Sequence, residues 1–185
     1  MIYLMRHGQD DENYIGGWSD VSLLSEGIVQ VNESAKWIKD NLDIKLILCS
    51  DVKRAVETAQ IVSNVLDMSY IQTSELREQS KGKLNGMLRT EADKKYRELL
   101  SNVTVDTVYP EGESLRDLYN KMLIYIEKIR EMEDDTLLIT HRGVINMIYY
   151  ILYGKSLDMD KKQFGVETAS VHEFNVEENV IRRIR

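Results

Sequence analysis

Apolar positions along the chain form two kinds of pattern. Short continuous runs stand at "IYLM" (2–5), "KLILCS" (45–50), "SYIQT" (69–73) and "TLLIT" (136–140), and each predicts a strand, the third being the weakest. Between them the spacing changes to three and four. Ile28, Val31, Ala35, Ile38 and Leu42 predict an amphipathic helix over 25–42. A second helix is expected over 51–66, with Ser50 placed to cap it. Leu115, Leu118, Met122, Ile126 and Ile129 line one face of a helix over 114–132, with Ser114 as its N-cap and Asp117 three positions on. "GVINMIYYILYG" (143–154) is apolar nearly all round, which predicts a buried helix. "ASVHEFNV" (169–176) alternates like a strand and pairs with "VIRRI" (180–184) through the turn "EEN". Strands alternating with helices predict an α/β fold. The expected form is a three-layer α/β/α sandwich with a mostly parallel central sheet and one antiparallel edge. Residues 79–112, with a helical stretch at 89–100, are expected to form a small cap within a single domain spanning 1–185.

Composition narrows the classes. The 185 residues carry a net charge of −7, with acids spread along the chain, which argues against nucleic acid as a partner. The single cysteine, Cys49, excludes an internal disulfide framework and fits a reducing compartment. The longest apolar stretch is too short to span a bilayer, and "MIYLMRHG" lacks a charged leader. A cytoplasmic protein, monomer or homodimer, with no membrane partner is expected.

Three of the expected strands end in polar residues: "RHG" (6–8), "SDVKR" (50–54) and "THRG" (140–143). Ligands of parallel sheets bind at the carboxyl ends of the strands. Arg6, His7, Arg54 and His141 can therefore converge, with glycines beside both histidines that would let the backbone approach a ligand. Two guanidinium groups and two imidazoles suit a tetrahedral oxyanion, because arginine offers paired N–H donors and histidine can attack phosphorus. No GxxxxGK[ST] run points to a nucleotide P-loop, and no HExxH or CxxC points to a metal.

The order of "LMRHGQ" (4–9) with Asn13, "DVSLLSEGIVQ" (20–30), "CSDVKRAVETA" (49–59), "ELREQSKGKLNG" (75–86), "PEGES" (110–114) and "LLITHRGVI" (137–145) resembles the histidine phosphatase superfamily, the phosphoglycerate-mutase-like proteins. The resemblance implies that His7 is the phosphorylated nucleophile. It implies that Arg6, Arg54 and His141 hold the phosphate in the transition state, that Asn13 makes a further phosphate contact, and that Glu78 is the general acid and base. It implies no cofactor and no metal. The expected activity is that of a histidine acid-type phosphatase acting on a small phosphorylated metabolite. Family mutases carry a longer insert before "GES" than the 79–111 found here, which disfavours the alternative of a phosphoglycerate-type mutase. A low-turnover protein that binds phosphorylated partners is a further alternative.

Two positions depart from the family pattern. Asp10 stands where a serine or threonine is usual, and Arg142 stands where a small residue is common. A carboxylate ~4 Å from a phosphate costs ~4 kcal/mol per pair of unit charges at an effective dielectric near 20. Asp10 is therefore expected to turn away, to be protonated or to have a cation partner, and a pair with Arg142 across the pocket mouth is the form expected of the last. Asp11 and Glu12 are expected to point to water. Gln79, Ser80, Tyr14, Trp18, Tyr96 and Tyr109 are candidates for the entrance, and His172 reads as structural.

Overall fold

The computed structural model describes residues 1–160 and 163–185. Six strands form one sheet in the order β3-β2-β4-β1-β5-β6. They are β1 (Ile2–Arg6), β2 (Leu46–Ser50), β3 (Ile71–Thr73), β4 (Thr136–Thr140), β5 (Val171–Asn175) and β6 (Val180–Arg183). β3, β2, β4 and β1 run parallel, while β5 is antiparallel to both β1 and β6 and makes the antiparallel edge. The helices are α1 (Ser25–Asn41), α2 (Lys53–Leu66), α3 (Arg89–Lys95), α4 (Arg97–Ser101), α5 (Leu115–Arg130) and α6 (Arg142–Tyr153).

Strand residues alternate between two cores, as the pleat requires. Ile2, Leu4 and Leu138 pack with Leu118, Ile126, Val144 and Ile148 of α5 and α6. Tyr3, Met5, Leu137 and Ile139 pack on the other face with Val31, Ala35, Ile38 and Val62 of α1 and α2. Both faces of β1 and β4 are thus covered, which is why these strands read as unbroken apolar runs. A third, smaller cluster joins Ile15 to Leu84, Ala92 and Tyr109, and fastens residues 79–112 to the loop after β1. Backbone bonds reinforce it: Ile15 N–H donates to Met87 O (2.8 Å) and Gly86 N–H to Ile15 O (2.8 Å).

The helix ends show where the sequence pattern needed help. Ser114 and Asp117 form a reciprocal capping box at the start of α5. The buried face of α1 is Gly27, Val31, Ser34, Ala35 and Ile38, whereas Ile28 is exposed. The rotation follows from Gly27, whose missing side chain admits the loop after β1; a Cβ there would lie 2.2 Å from Gln9 O. The expected helix over 89–100 breaks at Tyr96, which leaves helical geometry (φ −122, ψ 29). Ser50 does not cap α2. The residue before that helix is Val52, with no side-chain cap, and the Ser50 hydroxyl is engaged by a histidine instead.

Candidate active site

β1 and β4 are neighbours, so their carboxyl ends lie side by side. His7 N–H donates to Thr140 O (2.9 Å) and Arg6 N–H to Ser170 O (3.1 Å), which extends the pairing just past the strands. His7 and His141 leave these ends with ring centroids 5.2 Å apart. The first turn of α2, which follows β2, contributes Arg54. Residues 6, 7, 54 and 141 therefore meet at one rim.

Arg54 is the hub. Its Nε donates to His7 Nε2 (3.1 Å), and its Nη2 donates to His141 Nδ1 (3.0 Å) and to Gly17 O (2.9 Å). Its Nη1 donates to Ser19 Oγ (3.2 Å). A guanidinium only donates, so both ring nitrogens it touches carry lone pairs. The His7 proton then sits on Nδ1 and goes to Gly8 O (2.7 Å). The His141 proton sits on Nε2 and goes to Ser50 Oγ (2.8 Å). Burial, and then the Arg54 charge, push both imidazoles well below their ordinary value. Arg6 donates through Nη1 to Val166 O (3.0 Å), while its buried Nε has no hydrogen-bond partner. Burial, and then the neighbouring Arg142 charge, lower Arg6 to about 10.

Glu78 arrives from the turn after β3. Its Oε1 accepts Gln79 N–H (2.9 Å) and its Oε2 accepts Gly143 N–H (2.9 Å) at the start of α6. Its main chain is anchored on three sides. Thr140 Oγ1 donates to Leu76 O (2.7 Å), and Trp18 Nε1 donates to Glu78 O (2.7 Å). Arg77 grips Asp51 through two bonds of 2.6 Å, and its guanidinium lies over the Trp18 ring at 4.6 Å. The glycines serve packing of the protein on itself. A Cβ on Gly143 would fall 2.0 Å from Glu78 Oε1, and one on Gly8 would fall 2.6 Å from Gly27 O.

These groups open onto a cavity of about 380 Å³ lined by Arg6, His7, Arg54, Glu78, Gln79 and Arg142, with Tyr14 and Tyr109 farther out. That size falls in the range of small-molecule sites. His141 is fully buried and does not line the wall; it touches the cavity groups through Arg54.

Several expectations change here. Asp10 does not pair with Arg142. Its Oδ2 lies 3.5 Å from Arg54 Nε, and among the described residues no carboxylate comes within 4.0 Å of Arg142. Residue 10 bridges to Leu23, and Arg54, only 2% exposed, is a buried charge that needs a counter-charge. Asn13 is exposed and outside the cavity wall; its amide Nδ2 donates to Asp11 Oδ1 (2.8 Å). Asp11 and Glu12 line the cavity mouth rather than facing only water. Trp18 covers Arg77, Tyr96 packs in the cap, and Ser80 N–H donates to Glu113 Oε1 (2.6 Å). Sequence reasoning gave Asp51 no role, gave Ser50 only a helix cap, and expected Gly143 to admit a ligand where it admits Glu78. All three sit inside the quoted motifs, where their roles could have been suspected. Among the described residues no cluster of three or more His, Cys, Asp or Glu is placed to hold a metal, and no helix is long and apolar enough to cross a membrane.

Comparison with known proteins gives the same grouping. The family model "Histidine phosphatase superfamily (branch 1)" matches residues 2–184. The Escherichia coli O1:K1 protein named Probable phosphoglycerate mutase GpmB is 34% identical over 161 residues, covering 83% of this chain and 74% of that protein. Among solved structures, alpha-ribazole phosphatase from Shigella flexneri superposes with a TM-score of 0.83 at 21% identity, covering 98% of this chain and 93% of that one. A mycobacterial glucosyl-3-phosphoglycerate phosphatase gives 0.72 at 20% identity, covering 98% and 94%. At such identities these two structures speak for the fold alone.

Proposed function

Because the chain belongs to the histidine phosphatase superfamily, we propose that it hydrolyses a small phosphomonoester through a phosphohistidine at His7. The observation that carries this reading is the His7 Nε2 lone pair, held by Arg54 on a cavity wall that also bears Arg6 and the Glu78 carboxylate. The substrate phosphate takes the Nε donor of Arg54 away from His7 and meets the unpartnered Nε of Arg6. Nε2 attacks phosphorus in line with the ester oxygen; the new P–N bond forms as the P–O bond breaks. Glu78 gives its proton to the leaving oxygen and later takes one from the water that cleaves the P–N bond. Inorganic phosphate leaves and His7 is restored.

Arg6 and Arg54 are preorganised donors for the charge that spreads over the equatorial oxygens. His141 acts as a positioning residue, since its Nδ1 fixes one arm of Arg54 and Ser50 fixes its ring. A nucleophile whose imidazole stays neutral well below pH 6.5 supports activity that persists into acid.

Rapid quench with a labelled phosphomonoester tests the proposal. Acid-labile, base-stable label on His7 is expected at a stoichiometry approaching one, and its absence during turnover removes the reading. A mutase reading has the 34% identical relative in its favour. Net conversion of 3-phosphoglycerate to 2-phosphoglycerate, faster than phosphate release, would select it. We favour hydrolysis because the 79–112 segment is shorter than the insert expected of a family mutase.

A further inference from the structure

Arg142 differs from the other cations on the cavity wall. Arg54 is fully committed, with donors to His7, His141, Ser19 and Gly17 and with Asp10 beside it. Arg89 donates to Glu12 O (2.6 Å) and Lys81 to Gln79 Oε1 (2.5 Å). Arg142 lines the same cavity with neither a hydrogen bond nor a carboxylate within 4.0 Å, among the described residues. It opens α6, a helix of 12 residues whose N-terminal end favours negative charge. Another cation, Arg6, is near enough for the two charges to repel each other. An unpaired guanidinium at a helix start, next to a 5%-exposed arginine whose Nε is itself unpartnered, is an arrangement that an anion would relieve.

The charge count explains why a third arginine is needed. A phosphomonoester carries close to two negative charges near neutral pH. Two neutral imidazoles contribute none, and Asp10 cancels one of the two charges that Arg6 and Arg54 bring. Without a further cation the trio Arg6, Arg54 and Asp10 would face a dianion with a net single positive charge. Arg142 raises it to two.

We propose that Arg142 is a third phosphate-holding arginine of this site, and that it offsets the carboxylate of Asp10 through charge balance rather than by direct contact. This rests on the phosphate-site reading but not on turnover. Asp10 keeps the buried Arg54 guanidinium neutralised in the resting protein, and Arg142 supplies the charge that phosphate binding then requires. The two positions are therefore opposed in sign and independent in mechanism.

The test is calorimetric titration of the full chain with inorganic phosphate at low ionic strength. Arg142→Gln is expected to weaken phosphate binding roughly tenfold, in keeping with a lost charge-assisted bond. Arg142→Lys is expected to keep most of the affinity. Asp10→Asn is expected to tighten binding, and the double variant to fall near the wild type because the effects add. Thermal melts show whether Asp10→Asn is folded; Arg142→Gln removes no contact and serves as the reading independent of that outcome. Unchanged phosphate affinity in Arg142→Gln overturns the proposal. So does a loss seen for 3-phosphoglycerate but not for glycerol 3-phosphate or inorganic phosphate, which would put Arg142 on a second anionic group of the substrate. So does weaker binding in Asp10→Asn. If the pattern holds while no ester is turned over and no label appears on His7, the hydrolase reading fails and the three-arginine site stands.

Discussion

His7 and His172 belong to two adjacent antiparallel strands, one just past the end of β1 and one inside β5, where it pairs with Leu4. Both are buried, and burial depresses both, His172 to about 4. What separates them is the chemistry of their neighbours. His172 lies between two hydroxyls, Tyr149 Oη at 2.8 Å and Ser170 Oγ at 2.9 Å; the Ser170 proton goes to Glu167 O (2.7 Å), so Ser170 accepts from Nε2 and Tyr149 donates to Nδ1. Its ring is thus satisfied on both sides by neutral hydroxyls and, unlike His7, does not line the cavity of about 380 Å³. His7 lies between a carbonyl, which only accepts, and a guanidinium, which only donates, so its lone pair is fixed on Nε2. A depressed imidazole is therefore no mark of a nucleophile. What sets His7 apart is a lone pair turned to a guanidinium on a cavity wall.

The sharpest way to break this comparison is to exchange the two histidines' fates. His7→Ala should lower kcat for p-nitrophenyl phosphate by about 10⁴-fold or more, while His172→Gln should leave kcat per folded molecule nearly unaltered. Comparable losses in steady-state assays would erase the distinction. Next in size is Glu78→Gln, expected to lower kcat by roughly 10³-fold on alkyl phosphates, within the usual range for an acid–base group. The loss should be smaller on p-nitrophenyl phosphate, whose leaving oxygen needs little protonation. Equal losses on both would remove Glu78 as the proton donor.

Gly143→Ala sharpens the role of the carboxylate's seat. A Cβ 2.0 Å from Glu78 Oε1 must displace it. Misplacing a catalytic group by about 1 Å costs on the order of 10²-fold, so kcat should fall to that extent with KM much less affected. A normal kcat in this variant would show that the seat does not matter.

The smallest effect is on stability. The unfolded chain protonates a histidine near pH 6.5 and the folded chain only at lower pH, so between those values the unfolded state holds more protons. Stability therefore rises with pH through this window and is lost as pH falls below about 6.5. Each buried histidine contributes a slope of about 1.4 kcal/mol per pH unit. For His172 the window closes at about 4. His172→Gln should lower stability by about 1–3 kcal/mol at neutral pH through its unsatisfied hydroxyl partners, and should flatten the acid slope by that one increment. Urea titrations at pH 5 and pH 7 would measure both, and an unchanged slope would show that His172 is protonated in the folded state.

Much of this protein was legible in its sequence. The apolar runs of β1, β2 and β4 and the period of α5 and α6 are strong because both sheet faces are covered, so packing and local preference agree. Strand ends carrying Arg6, His7 and His141 followed from the same reading, since a parallel sheet gathers its carboxyl ends. The sequence was less informative wherever a side chain's partner lies far along the chain. Nothing local shows that Ser50 serves His141 rather than α2, that Asp10 goes to Arg54 rather than Arg142, or that Gly143 makes room for Glu78. Nor does it show that Asn13 turns to Asp11 and out of the cavity. Those choices depend on which buried charge or ring lacks a partner once the layers close, and on a few tenths of an ångström of free space. The linear pattern determined which groups reach the rim; only the closed tertiary structure decided which of them hold each other and which remain free for a ligand.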